Sequence, residues 1–490
     1  MTTTTLKSSP AGAPPGQPRG LATIFLTEMW ERFSYYGMRA LLVLYLVNRL
    51  GYDRTNALAL YGLYTGLVYL TPMIGGALAD RYLGNRRAAI IGGAVMCLGH
   101  FAMAFEPLLH LALGLLIVGN GLFKPNTTTM VGELYEDEND PRRAGGYSIF
   151  YMGINLGAFL APIVAGTLGE KVGWHWGFGA AGVGMFLGLV QLLMGQKHLG
   201  RAGLKSHQSA VGWADLPLLG AWTAGCVGLV LGVIAAWGVI GPVWNGLSAG
   251  VQIVLAVGLL LAMILGISRP DPKAAVAPLT RSDWGRVIGV IVVMFFVIAF
   301  WTGFEQAGGT MTLFADKQTD RHFMGFEVAA SLFQSINPAV IVLMAPVFSI
   351  LWTRLDQSRF KMSDIAKQGL GMIVLGLGFV VMTEAQRRAD AFGPVGPQWL
   401  FVVYVIHTLG ELMVSPVGLS MVSRLAPARL AGLLMGVWFL SSAAANYLSG
   451  TLEHMLEGSG LPLYPFLAAL SVGAGVVLLL ITPLLNRMMK

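Results

Sequence analysis

Apolar residues run through this chain in blocks of about 20 or more, the length an α-helix needs to cross about 30 Å of hydrocarbon. About fourteen such blocks can be counted, centred on 21–48, 56–79, 87–105, 107–130, 144–167, 175–196, 214–238, 246–267, 286–309, 326–352, 365–384, 398–423, 430–451 and 462–485. Six precede and six follow a middle section, in which the apolar pair 214–267 is flanked by polar stretches at 197–212 and 268–285. The pattern predicts an all-α integral membrane protein of two six-helix bundles plus an inserted helix pair. Its expected parts are a disordered tail (1–20), an N-terminal bundle (21–198), a linker with the pair (199–285) and a C-terminal bundle (286–490).

Composition agrees: 55% of residues are hydrophobic, only 12% are charged, and the mean hydropathy is +0.66. Such a chain has too little polar surface for a soluble globule. The net charge of +7 matters less than where the cations fall. With both termini in the cytoplasm, 22 of the 32 Lys and Arg lie on the cytoplasmic side and 7 on the other. That asymmetry favours a plasma (inner) membrane protein with both ends cytoplasmic, and removes the reason to expect a nucleic-acid partner. Cys97 and Cys226 both fall in apolar blocks, so neither a disulfide nor a cysteine metal site is expected. The first apolar block carries charges that no cleaved signal segment tolerates, and is expected to stay. The loop Gly75-Gly-Ala-Leu-Ala-Asp80-Arg81-Tyr-Leu-Gly84-Asn-Arg86-Arg87 resembles the helix 2–3 signature of the major facilitator superfamily, with one extra residue between Arg81 and Gly84. A weaker echo with Arg354, Arg359 and Lys361 follows in the second half. Carriers built this way place their substrate at mid-membrane between the halves.

Charges inside a bilayer cost about 2.5–3.5 kcal/mol each, so each needs a partner or a task. The first block holds Glu28, Glu31, Arg32, Tyr35 and Arg39 at i, i+3, i+4, i+7 and i+11, one face of a helix that must look into protein or water. An intrahelical Glu28–Arg32 pair accounts for two of the five. In block four, Lys124 sits among Gly119, Asn120, Gly121 and Pro125; it either snorkels or faces a cavity. Block nine supplies Trp301 and Glu305, and block twelve His407, Glu411 and Ser415 on one face; His407 reads as a packing residue. Tyr36, Tyr69, Asn155, Asn337 and Trp438 add polar or aromatic groups to other blocks, where helix-to-helix bonding or packing is the simpler reading of each alone. Four interior carboxylates against three cations leave the interior one proton short of neutral. Burial and crowding favour taking that proton at Glu28 or Glu31. A peptide is a zwitterion, and the two halves offer it opposite charges.

The run Glu28-Met-Trp-Glu31-Arg32-Phe-Ser-Tyr35-Tyr36-Gly-Met-Arg39 resembles the ExxERFxYY signature of the proton-dependent oligopeptide transporters. The likeness continues through Tyr69-Leu-Thr-Pro, Gly-Leu-Phe-Lys124-Pro-Asn, Phe150-Tyr-Met-Gly-Ile-Asn155, Phe300-Trp301-Thr-Gly-Phe-Glu305-Gln, Gln334-Ser-Ile-Asn337-Pro and Gly410-Glu411-Leu-Met-Val-Ser415-Pro. It implies a major facilitator fold and proton-coupled uptake of di- and tripeptides by alternating access. It also implies proton coupling through Glu28, Glu31, Arg32 and Glu305, and gating pairs Arg39–Glu305 and Lys124–Glu411. Arg39, Lys124, Asn155, Asn337 and Glu411 would then meet the peptide backbone and ends, with Tyr35, Tyr36, Tyr69, Trp301, Ser415 and Trp438 around its side chains. Animal members carry a histidine seven residues before the position of Tyr69; here that place is Gly62, which throws weight onto the helix-one carboxylates. The alternatives are a carrier of nitrate or another small metabolite, and a membrane peptide receptor. No nucleophile with a base, phosphate loop or metal-ligand cluster is evident, so no enzyme, no metal, no cofactor besides the proton and no obligate protein partner are expected.

Overall fold

In a computed structural model of the chain, residues 16–135, 137, 140–205, 208–245, 280–323, 325–359, 361–425 and 431–489 are described. The first half contains α1 (Arg19–Asn48), α2 (Arg54–Leu78), α3 (Asn85–Ala102), α4 (Leu109–Glu133), α5 (Arg142–Ala161), α6 (Thr167–Lys171) and α7 (Trp174–Gly195). After α8 (Leu216–Asn245), the second half contains α9 (Arg281–Phe304), α10 (Thr310–Lys317), α11 (Ile336–Asp356), α12 (Asp364–Phe392), α13 (Gln398–Leu425), α14 (Ala431–Leu456) and α15 (Leu463–Met488). The expected second inserted block at 246–267, and residues 1–15 of the expected tail, lie outside the described residues. The rest of that tail is docked: α1 already starts at Arg19, and Gln17 accepts from the Tyr135 hydroxyl at 2.6 Å and donates to the Arg142 carbonyl at 3.2 Å.

Among the described residues, ten helical spans are long and apolar enough to cross a membrane. Helix α1 is not one of them, because of its interior charges, yet it is buried along most of its 30 residues. It runs against α5 and α7 as the central rod of its half. Elsewhere α3 packs on α4 and α7, while α12 packs on α13 and α15. Helix α8 lies against α3 and α4. The halves meet where α2 runs along α14, α5 meets α11, and α1 meets α10.

Two expected blocks are broken, and both breaks shape the interior. Block nine does not continue to 309: α9 ends at Phe304, a 3₁₀ turn spans Glu305–Gly308, and Gly309 (φ −111°, ψ −101°) separates it from α10. Block ten starts late, because a two-stranded hairpin, β1 (His322–Phe323) and β2 (Phe326–Glu327), and a 3₁₀ turn at Ala330–Ser335 precede α11. Glycine at 308 and 309 weakens the α-ladder, so Glu305 sits on a turn rather than mid-helix.

Helix caps and close glycine contacts set the register of the first half. Asp53 caps α2 by accepting from the Asn56 backbone N–H at 2.9 Å, and the Asn56 bonds hold its carboxyl below the usual range. Pro125 lies inside α4 and cannot donate to the Gly121 carbonyl, and the backbone of α2 passes over that carbonyl at Gly75. A Cβ on Gly75 would overlap the Gly121 oxygen, whereas one on Gly76 finds nothing nearer than Pro125 at 3.6 Å. Gly75→Val should therefore lower the unfolding midpoint in detergent, at a cost of about 1–3 kcal/mol or more. Gly76→Ala should stay within about 0.5 kcal/mol of the parent. Equal midpoints for the two variants would mean that α2 and α4 are not in contact there.

At the end opposite the start of α1 and the close of α15, polar contacts tie one half to the other. Arg54 pairs with Glu453 at 2.6 Å, Thr55 donates to Glu457 at 2.7 Å, Asn48 to Asp316 at 2.9 Å, and Lys171 pairs with Glu327 at 2.8 Å. Between these ties and the opposite end lies the site.

Candidate functional site

Helix α1 brings its charges into a buried interior, where each finds a counter-charge. Glu28 and Glu31 are fully buried. Arg32 grips Glu31 with two bonds of 2.5 Å and stands 3.6 Å from Glu28. From α4, Lys124 donates to Glu28, Thr127 donates to the other Glu28 oxygen at 3.0 Å, and Asn120 donates to Glu31 at 3.2 Å. Two carboxylates and two cations thus form a closed, formally neutral quartet. Buried charges demand such pairing, since an uncompensated one is strongly destabilising.

Two turns further along, Arg39 reaches across to Glu305 of the second half, while its Nε donates to the Tyr61 hydroxyl at 2.6 Å. Glu305 can meet it because the break at Gly308 and Gly309 turns the chain there. The guanidinium groups of Arg32 and Arg39 lie 6.0 Å and 5.7 Å from the centre of the Tyr36 ring. On the far wall, Asn337 in the first turn of α11 donates to Glu411 of α13 at 2.7 Å and to Thr408 at 3.0 Å. Among the described residues, no Lys or Arg forms an ion pair with Glu411; the cavity cations Arg32, Arg39 and Lys124 are taken by Glu31, Glu305 and Glu28.

These groups surround one cavity of about 310 Å³ between the halves. A volume of that order suits a small ligand. Of the residues singled out in the sequence, Arg32, Tyr36, Arg39, Tyr69, Lys124 and Asn155 line it from the first half. Trp301, Glu305, Asn337, Glu411, Ser415 and Trp438 line it from the second. Two expectations are corrected. Tyr35 does not line the cavity: it is 2% exposed, turned behind the wall with its ring edge-on to Tyr36 at 5.1 Å. Lys124 does not pair with Glu411 here; both line the cavity, and the ammonium is held by Glu28. The reason is geometric, since Glu28 lies within the same half and Glu411 across the cavity. His407, assigned to packing, sits against Phe379 with ring centres 4.6 Å apart and also reaches the lining.

The interior balance is still one negative charge, but its place is now defined. The quartet and the Arg39–Glu305 pair are each neutral by formal count, so the carboxyl left without a cation is Glu411, whereas Glu28 and Glu31, where crowding favoured the proton, each stand beside one. Sequence reading missed Asn120, Thr127 and Tyr61, single neutral groups in apolar blocks, and the cavity-lining Tyr151 and Gln334. Tyr151 and Gln334 both stand inside family-like runs, the one from Phe150 to Asn155 and the one from Gln334 to Pro338, so those two carried a signal.

The sequence model of the family described as PTR2, POT family, matches residues 86–210 and 279–461. The peptide transporter YePEPT of Yersinia enterocolitica subsp. palearctica serotype O:3 (strain YE-P4) is 36% identical, over 96% of this chain and 96% of that protein. A di-/tripeptide transporter of Lactococcus lactis subsp. lactis (strain IL1403) is 32% identical, over 96% of this chain and 97% of that one. Among solved structures, a crystal structure of a peptide transporter POT in complex with sulfate superposes with a TM-score of 0.80 at 37% identity, covering 99% of this chain and 98% of the other.

Proposed function

The chain belongs to the POT family, and from that premise we propose that it is a proton-coupled symporter that imports di- and tripeptides by alternating access. The observation that carries the mechanism is the bond from Lys124 to Glu28 at the cavity wall. An ammonium so held is only partly available to a peptide carboxylate. Protonating Glu28 removes its charge and releases Lys124 to the ligand; conversely, a peptide carboxylate on Lys124 favours a proton on Glu28. Proton and peptide then assist each other by the same coupling free energy, as linkage requires.

Glu411 is the complementary end. A carboxylate that has an amide but no cation beside it suits a peptide ammonium, with Asn155 and Asn337 near the same end. Tyr36, Tyr69, Trp301, Ser415 and Trp438 serve the side chains, and a tyrosine- and tryptophan-lined wall is tolerant of many of them. A carrier of a pure anion such as nitrate has little use for Glu411, which favours the zwitterion over that second reading.

In this scheme the end tied by Arg54–Glu453 and Asn48–Asp316 faces outward and is closed, and the chain termini are cytoplasmic, in the plasma (inner) membrane. Arg39–Glu305 is a gating pair spanning the halves below that closure. Opening outward requires differential contacts, which protonation and peptide binding supply. The test is uptake of labelled dialanine into liposomes holding the purified protein, with and without an inward proton gradient. Gradient-dependent accumulation, competed by trialanine and not by free alanine, is the expected result. Accumulation of no peptide would overturn the reading and send the search to other small solutes, nitrate first.

A further inference from the structure

A polar tie at the closed end, outside the cavity, differs in kind from its neighbours. Glu170 in α6, a first-half residue, accepts from the backbone N–H of Ala330 at 2.7 Å with one oxygen and from that of Ser331 at 2.8 Å with the other. Those two residues open the 3₁₀ turn Ala330–Ser335 of the second half, whose first N–H groups have no partner within the turn. The Glu170 side chain is only 9% exposed, and Arg321, 12% exposed, stands 3.7 Å from it while pairing with Asp316 and Glu327 and donating to the Val328 carbonyl at 2.9 Å. By contrast, Arg54–Glu453 and Lys171–Glu327 are solvent-exposed pairs of the kind that contribute little. Contact between the halves is also tight here: a Cβ on Gly166 would overlap the Ser331 hydroxyl.

Both sides of this tie lead to the site. Between α5, which carries Asn155, and α6 lies a π-helical turn, Pro162–Gly166, a widened segment of the type found at functional places in helices. The turn Ala330–Ser335 carries Gln334 of the cavity wall and runs directly into α11, whose second residue Asn337 holds Glu411. We propose that Glu170 is a positioning residue, a latch that closes the outer end by capping Ala330 and Ser331, and that its release loosens the segment presenting Asn337 to Glu411. Outward opening and the setting of the amine-binding end are thereby one event. Once the halves part, two buried N–H groups lose their acceptor at the same moment as Arg321 loses a counter-charge.

The inference rests on the alternating-access reading, and its first readout, thiol labelling, needs no transported peptide. Ser335→Cys places a thiol at a position 4% exposed, whose native hydroxyl donates to the Phe159 carbonyl across the halves at 2.9 Å. The native Cys97 and Cys226 are both buried, and labelling of the protein without the reporter gives their background. In intact cells, a membrane-impermeant maleimide should label the introduced thiol about tenfold faster in Glu170→Gln or Glu170→Ala than with Glu170 intact, with Glu170→Asp between, a tenfold shift being about 1.4 kcal/mol. Arg321→Gln leaves both backbone bonds of Glu170 in place and should raise the rate less. In the Glu170 variants, the preference for dialanine over N-acetyl-dialanine should also fall. Unchanged labelling in both Glu170→Gln and Glu170→Ala at an unchanged unfolding midpoint, or a larger effect from Arg321→Gln, would overturn the assignment. A parent protein that labels as expected yet accumulates no dialanine would sink the transport reading alone.

Discussion

Glu28→Gln is expected to abolish gradient-driven accumulation of dialanine while leaving peptide exchange across the membrane within about threefold of the parent, a shift of under 1 kcal/mol. The glutamine copies the protonated carboxyl: it keeps the shape and an oxygen for Thr127 but no charge to hold Lys124. An inward gradient of one pH unit supplies about 1.4 kcal/mol per proton, or a tenfold concentration ratio, and that ratio should collapse to about one. Exchange needs only that the loaded carrier turn over, so it should survive. Glu31→Gln should do more general damage, because Glu31 is gripped by Nε and Nη2 of Arg32 and loss of its charge leaves that buried guanidinium with only Glu28, at 3.6 Å, to balance it. If Glu28→Gln lost exchange and accumulation in equal measure, Glu28 would be a binding or folding group and the coupling scheme would fall.

The second large effect concerns the opposite wall. Glu411→Gln should raise the KM for dialanine about 10- to 150-fold, the equivalent of one hydrogen bond to a charged group at about 1.5–3 kcal/mol. N-acetyl-dialanine, which lacks the ammonium, should be a poor substrate of the parent and change little in the variant. The preference for the free amine should thus nearly vanish in Glu411→Gln. Persistence of that preference at the parent's value would place the amine elsewhere, and Arg39–Glu305 would be the next pair to examine. Since Asn337 already donates to Glu411 at 2.7 Å, the variant keeps a hydrogen-bonding group in place and its folding is protected.

Much of this was readable along the chain because membrane helices obey a simple constraint: each must bury its own backbone bonds and be apolar for about 20 residues. The limits of α2, α3 and α15 fall within a few residues of the expected blocks for that reason. Where two elements share one apolar run the rule is blind. It passed over the turn at Glu305–Gly308, which Gly308 and Gly309 permit and distant partners hold, and over the hairpin and 3₁₀ turn before Ile336, which are likewise held by distant segments. Residue 170 illustrates the point: a glutamate at a helix end looks like an ordinary surface charge until the fold brings Ala330 and Ser331 to it.

The seven interior charges were determined by sequence alone, because a bilayer makes every such residue conspicuous, and so was their excess of one negative charge. Which partner each takes was decided by the tertiary structure. Helical spacing brings Arg32 near Glu28 and Glu31, but only the approach of α4 to α1 sets Lys124 on Glu28. The break after Phe304 and the meeting of the halves then bring Glu305 to Arg39, and Glu411 is left across the cavity with Asn337. Charge is a property of the residue and can be counted along a chain; pairing falls off with distance and depends on which helices touch.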